Sequence, residues 1–231
     1  MTDTPELLLS RMPQARRLLL ESVVAELRHN YPRGRVMVAV DGPTAAGKTT
    51  FADELAVAWR ATGTEVYRAS IDDFLRPRAL RYARGRESAE GRYLDSYDYA
   101  LLRRVLLDPF RMGGSTGFEL RAFDREADRP FVATWTTAGP DAVLLVDGSY
   151  LNRPELRGAW HAVVWLDADP AERDRRVEAR EGIVPGSPLA ERYTGAFELY
   201  AKTEPRAAAA VLIENTDPAA PRRAFDDYCV L

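Results

Sequence analysis

The sequence predicts an α/β protein: a three-layer, doubly wound, mainly parallel sheet with helices on both faces. Three observations carry that expectation. Short, nearly continuous apolar runs recur at 36–40, 142–146, 162–166 and 209–213, the pattern of strands buried on both faces. Segments of helical spacing separate them. Strands alternating with helices favour parallel pairing through crossovers. With no shift in composition and no internal repeat, the 231 residues read as one domain, with residues 1–34 as a helical extension packed on it.

Composition narrows the class. With 46% hydrophobic and 29% charged residues the chain resembles neither a disordered protein, a collagen-like repeat nor a coiled coil. Its 32 basic residues against 35 acidic ones, a net charge of −3, argue against a protein built to coat nucleic acid. The lone Cys229 makes no internal disulfide or cysteine-based metal site, and His29 and His161 lack ligand spacing. No basic and apolar leader opens the chain, and no apolar run approaches a membrane span, so the expectation is a cytoplasmic protein without a membrane partner. Nothing in the sequence indicates an oligomeric state. Only Lys48 and Lys202 are lysines, so each lysine's position carries information.

From Glu6 to His29, Leu8, Met12, Ala15, Leu19, Val23 and Leu27 recur at helical spacing, with Pro13 dividing the segment. Arg35–Asp41 reads as a buried strand, followed by a glycine-bearing turn, a helix over 48–61 and a strand over 65–70. Residues 71–98 are polar, rich in arginine and tyrosine, and too long for an ordinary connection, so a functional loop is expected there. A helix over 98–107 precedes a hairpin of 118–123 with 131–137. Helices at 170–181 and 189–201 lie between the last two strands, and a short helix is expected after Pro221.

Gly42-Pro43-Thr44-Ala45-Ala46-Gly47-Lys48-Thr49 matches G-x-x-x-x-G-K-[ST]. The glycines let successive backbone N–H groups curl around phosphate oxygens, and the helix that follows adds its positive end. Lys48 can reach the β- and γ-phosphates and the Thr49 hydroxyl can ligate Mg²⁺, with Thr50 next in the helix's first turn. Chance would place this pattern in roughly one chain of this size in a hundred. A nucleoside triphosphate site is therefore the expectation, and one of only two lysines stands where it needs one. The D-x-x-G and N-K-x-D elements of GTP switches do not occur.

Further carboxylates lie where such a site could use them. Ser70-Ile71-Asp72-Asp73-Phe74 follows the second strand, where a carboxylate can orient a hydroxyl and accept its proton. Asp72 and Asp73 both remain candidates, with Asp72 ahead. Leu144-Leu145-Val146-Asp147-Gly148 ends a strand in a carboxylate, placed to hold metal-bound water or to lie near the acceptor. Arg173, Arg176 and Arg180, spaced three, four and seven apart, share one helix face.

These elements resemble the uridine kinase and phosphoribulokinase-like group of P-loop kinases, over most of the chain from Arg35 to Pro221. The resemblance implies a P-loop kinase fold with an arginine-bearing lid, using ATP and Mg²⁺ to phosphorylate a small-molecule hydroxyl, a nucleoside first. It implies that Asp72 acts on the acceptor hydroxyl, that Asp95 in Tyr93-Leu94-Asp95-Ser96-Tyr97-Asp98 holds ribose hydroxyls, and that Asp147 replaces the glutamate of an E-G pair. It further implies that Arg173, Arg176 and Arg180 neutralise charge on the transferred phosphoryl group. Asn215 or Thr216, after the last strand, would lie beside the adenine. One departure bears on the acceptor. Where uridine kinases carry a Y-D-F…H stretch, this chain has Phe123-Asp124-Arg125 and no following histidine, so Phe123 can stack on a ring but not hydrogen-bond it. The basic segment 76–86 offers a second acceptor class, an anionic one such as a sugar phosphate, beside a vitamin precursor or secondary metabolite. A nucleotide-binding regulatory protein with little turnover is the alternative outside the enzymes.

Overall fold

The computed structural model describes residues 3–225; Cys229 lies outside them. In chain order the elements are α1 (Pro5–Ser10), α2 (Gln14–Asn30), β1 (Val36–Asp41), α3 (Lys48–Arg60), β2 (Val66–Ser70), α4 (Arg78–Arg81), α5 (Ala89–Asp95) and α6 (Tyr99–Leu102). They continue with α7 (Asp108–Met112), β3 (Phe123–Asp124), β4 (Arg129–Pro130), β5 (Val143–Asp147), β6 (Ala162–Asp167), α8 (Pro170–Glu181), α9 (Pro188–Ala201), β7 (Val211–Glu214) and β8 (Arg222–Ala224).

The main sheet runs β2-β5-β1-β6-β7-β8, parallel throughout except for β8, which pairs antiparallel with β7. Each central strand alternates between two cores, which is why it reads as a continuous apolar run. Val36, Val38 and Val40 of β1 meet Val143, Leu145, Val164 and Leu166 on one face, under Leu20, Val23 and Leu27 of α2 and Phe51, Leu55 and Trp59 of α3. Met37 and Ala39 join Leu144, Val146, Val163 and Trp165 on the other, under Leu102, Leu106, Phe110, Ala196 and Tyr200. The three layers are as expected, and the N-terminal helices form part of one of them.

Differences from expectation have local causes. The segment 71–98 is not an open loop: a 3-10 turn (Ile71–Phe74), α4 and α5 occupy it, each opened by a residue suited to the start of a helix. Ser70 and Ser88 accept from backbone N–H groups and Pro77 precedes α4. The helix expected to end at 107 runs through a π-helical turn (Arg103–Leu107) into α7, and Gly113 at φ +74° ends it. The hairpin forms, but only Phe123–Asp124 pairs with Arg129–Pro130, and a bridge joins Phe118 to Thr136. The segment after Pro221 is strand over 222–224, not helix: β7 offers it an unpaired edge, and Leu212, Ile213 and Glu214 take it as partner.

Candidate active site

The carboxyl ends of β1, β2 and β5 meet in a cleft of about 690 Å3. Ligands of open parallel sheets bind at this end of the strands. A second cavity of about 490 Å3, lined by Arg35, Arg111 and His161, lies at the amino ends and gathers no comparable set of groups.

The phosphate loop leaves β1 through Gly42 and enters α3 through Gly47. A Cβ on Gly42 would lie 2.2 Å from the Leu166 carbonyl oxygen, and Gly47 holds φ +93° with Asn215 Nδ2 2.6 Å from where its Cβ would be. Both positions therefore require glycine. Beneath the loop Asp41 is fully buried, accepting from Gly42 N at 2.7 Å, Asn152 N at 2.8 Å and the Tyr200 hydroxyl. Burial raises its pKa against these hydrogen bonds, and burial with the neighbouring Asp41 charge drives the Tyr200 phenol far above its usual value.

Lys48 Nζ donates to the carbonyls of Gly42 at 3.0 Å and Pro43 at 2.8 Å. Burial lowers its pKa to about 8, opposed by the charges of Asp41, Asp147 and Asp72. Thr49 Oγ1 donates to Asp147 Oδ2 at 2.6 Å, while Arg68 holds Asp147 Oδ1 at 2.8 Å. Thr44, Ala45, Gly47, Lys48, Thr49 and Thr50 all face the cleft.

Asp72 lies on the 3-10 turn after β2. It accepts from the Tyr97 hydroxyl at 3.0 Å and faces Arg125 at 3.5 Å. Asp73, one residue on, points elsewhere: it lines a separate cavity with Arg68, Leu120 and Arg121, where burial and then the Asp72 charge raise its pKa. Of the two carboxylates, Asp72 is the one in the cleft.

Other sequence candidates are placed differently from expectation. Phe123 is 4% exposed and packs in the core, so its ring has no face free to stack. Asp95 does not line the cleft; Arg84 Nε holds it at 2.8 Å at the end of α5. The three arginines of α8 diverge. Arg180 reaches the cleft beside Glu181, whereas Arg173 donates to Ala168 O at 3.0 Å and lines another cavity. Arg176 ties two loops together, donating to Ala45 O, Asn215 O and Thr216 O at 3.2, 3.2 and 2.6 Å. Asn215 is 1% exposed: its Nδ2 donates to Ala46 O at 2.7 Å and its Oδ1 accepts from the buried Arg16 at 3.1 Å. It braces the phosphate loop from below, and the Thr216 hydroxyl accepts from Asp169 N.

Sequence reasoning missed Tyr97, Arg92 and Arg192, which line the same cleft as the phosphate loop together with Tyr82, Tyr193 and Ser149. The only hint was the tyrosine standing at 97; Arg92 and Arg192 come from helices far apart in sequence and belong to no motif.

No family model matches the chain, and no curated protein matches it. Solved structures do. A "possible uridine kinase" from Bacillus stearothermophilus superposes with TM-score 0.68 at 25% identity, over 85% of this chain and 97% of that one. A protein assigned as a fructose transport system kinase from a Silicibacter species gives TM-score 0.62 at 25% identity, over 82% and 95%. D-glycerate 3-kinase from Cryptococcus neoformans shares the fold, with TM-score 0.56 at 12% identity over 89% and 96%. The parallel sheet, the phosphate loop on its central strand and these kinase neighbours are consistent with the uridine kinase and phosphoribulokinase-like group of P-loop kinases, and they support an ATP-dependent small-molecule kinase.

Proposed function

We propose that the chain transfers the γ-phosphoryl group of ATP to a hydroxyl of a small molecule, with Asp72 as the group that receives the hydroxyl proton. One observation carries the reading: Lys48, the Thr49–Asp147 pair and Asp72 line one cleft. Backbone amides of 42–48 and the first turn of α3 would cradle the phosphates, with Lys48 on the β- and γ-oxygens. Thr49 and Asp147 offer hard oxygen donors side by side, and Mg²⁺ bound with phosphates needs only one or two from the protein. There Mg²⁺ would offset charge on the phosphate oxygens.

The acceptor oxygen bonds to the γ-phosphorus as the bond from that phosphorus to the β,γ-bridging oxygen breaks, leaving ADP. The hydroxyl proton passes to Asp72, which the Tyr97 hydroxyl holds in place. Arg180, from the α8 side, lies where it would meet phosphate charge. Arg176 and Asn215 act on the loop's position instead. Catalysis of this kind rests on positioning and charge stabilisation. The nucleoside reading of the acceptor depended on Asp95 and Phe123, and neither faces the cleft; its acceptor side is lined by arginine and tyrosine.

Incubation with Mg-ATP and a metabolite extract, followed by mass spectrometry, should reveal a compound that gains phosphate. Lys48→Ala should abolish turnover. Asp72→Asn should lower kcat by about 10²–10⁴ while ATP affinity changes little. ATP binding with no phosphorylated product would instead favour a regulatory nucleotide-binding protein, and full turnover by Asp72→Asn would remove that residue from the chemistry.

A further inference from the structure

The cleft holds more positive charge than its acids balance, and the excess is localised. Arg78, Arg81 and Arg125 have acceptors: the Arg78 guanidinium donates to the Arg125 and Glu126 carbonyls and its backbone N–H to Asp128, Arg81 pairs with Asp128 at 3.4 Å, and Arg125 faces Asp72. Arg92 has only the Tyr150 hydroxyl, and Arg192 has no carboxylate. Among the described residues neither makes an ion pair with a carboxylate, and the Nε atoms of both are buried without a hydrogen-bond partner. Arg192 is 8% exposed, and both side chains line the cleft.

Helix packing produces this pair. A Cβ on Gly195 of α9 would meet Ala89 Cβ of α5 at 2.9 Å, so glycine lets the two helices approach closely. Three residues along each helix from that contact stand Arg92 and Arg192, on facing surfaces. Tyrosine rings lie against both: the Arg92 guanidinium carbon is 3.9 Å from the centre of the Tyr193 ring, and that of Arg192 5.5 Å from the centre of Tyr82. A guanidinium held against an aromatic ring still has N–H groups to offer a planar or tetrahedral oxyanion. Burial, and after it the Arg92 charge, lower the Arg192 pKa, whereas Arg92 is raised against burial by Tyr150, Tyr97 and Tyr193 beside it. The Arg92 charge is also felt at Lys48, and Asp72 is among the charges felt at Arg92, so the pair adjoins the place of phosphoryl transfer.

Buried charges are ordinarily paired, because an unpaired one forfeits its hydration without return. We propose that Arg92 and Arg192 bind an oxyanion carried by the acceptor, a phosphomonoester or carboxylate, so that the substrate is a small anionic hydroxy compound rather than a neutral nucleoside or sugar. This rests on the kinase reading above and names its substrate class. The anionic end docks between α5 and α9 while a hydroxyl of the same molecule faces Asp72. The two arginines thus set specificity and take no proton.

Glycerol 3-phosphate, glycerate and glycerol share one carbon skeleton and differ in charge, and calorimetric titration of each into the full chain, with and without saturating ADP, tests the proposal. One or both anionic probes should bind at least tenfold tighter than glycerol, and which does so separates a phosphate acceptor from a carboxylate one. Arg192→Met and Arg92→Met should erase that preference while ADP affinity changes less than twofold. Lys48→Ala should weaken ADP and spare the anionic probes. In buffer without multivalent anions Arg192→Met should melt no lower than the natural chain, since the removed charge had no partner. Arg192→Lys, which keeps the charge but loses the fork, should bind the preferred probe with intermediate affinity. Equal affinity for all three probes overturns the proposal, as does a variant series in which Arg92 and Arg192 govern ADP and not the probes. Failure of ADP itself to bind is a separate result, against the kinase reading.

Discussion

Gly148 is the position where a single methyl group should disturb the chemistry without touching a reacting atom. It follows Asp147 at φ +149°, and a Cβ there would lie 2.0 Å from Ile71 Cγ2 and 2.9 Å from Ile71 Cβ. Ile71 is fully buried and has no space to retreat into. Gly148→Ala should therefore cost about 1–3 kcal/mol in backbone strain and a further 1–3 kcal/mol, roughly, in overpacking. A fold stable by about 5–15 kcal/mol survives this through most of the range. Ile71 opens the turn that bears Asp72, so whatever moves Ile71 moves that carboxylate. Misplacement of a reacting group by about 1 Å costs on the order of 10² in rate. Urea unfolding should show the lost stability, and kcat for the phosphorylated product should fall about tenfold to a hundredfold with little change in ATP affinity. Adding Ile71→Ala removes the 2.0 Å contact but not the strain, so the double variant should be more stable than the sum of the two singles by about 1–3 kcal/mol. An unchanged midpoint and kcat in Gly148→Ala, or strict additivity in the cycle, would refute the reasoning.

Two further outcomes follow from groups the sequence misplaced or left idle. Phe123→Leu replaces a buried ring with a smaller branched chain and should cost about 1–2 kcal/mol of stability, and leave the acceptor KM unchanged; a several-fold rise in KM would return that ring to the site. His161 accepts from Met37 N at 3.0 Å through Nδ1, and burial with the nearby Arg111 charge lowers its pKa. With the folded value below the unfolded one, its contribution is full above about pH 6.5 and is lost as pH falls towards the folded value, because the unfolded chain takes up the proton first. The stability gap between the natural chain and His161→Asn should shrink from pH 7.5 to pH 5.5 in urea titrations, and a constant gap would count against this.

The sheet was legible because burial on both faces writes itself into short runs such as Val36–Val40 and Leu144–Val146, which local composition alone can mark. The phosphate loop was legible because backbone geometry demands glycine at 42 and 47 and phosphate demands a lysine at 48, all within one turn of chain. Asp147 and Asp72 could be nominated for a related reason: Asp147 ends β5, Asp72 stands two residues past the end of β2, and strand ends in a parallel sheet converge. Side-chain direction is another matter. Neighbours in sequence, Asp72 and Asp73 face different cavities, and the evenly spaced arginines of α8 reach three different surroundings, because the partners that decide these outcomes come from other elements. Phe123 went to the core and Asp95 to Arg84 by the same logic. The sequence by itself thus determined the layers, the triphosphate loop and the carboxylates at strand ends, each a consequence of local periodicity or local backbone demand. Only the tertiary structure decided which carboxylate faces the cleft and brought Arg92 and Arg192 together across α5 and α9, because a contact between residues a hundred positions apart is settled by helix packing and leaves no local trace.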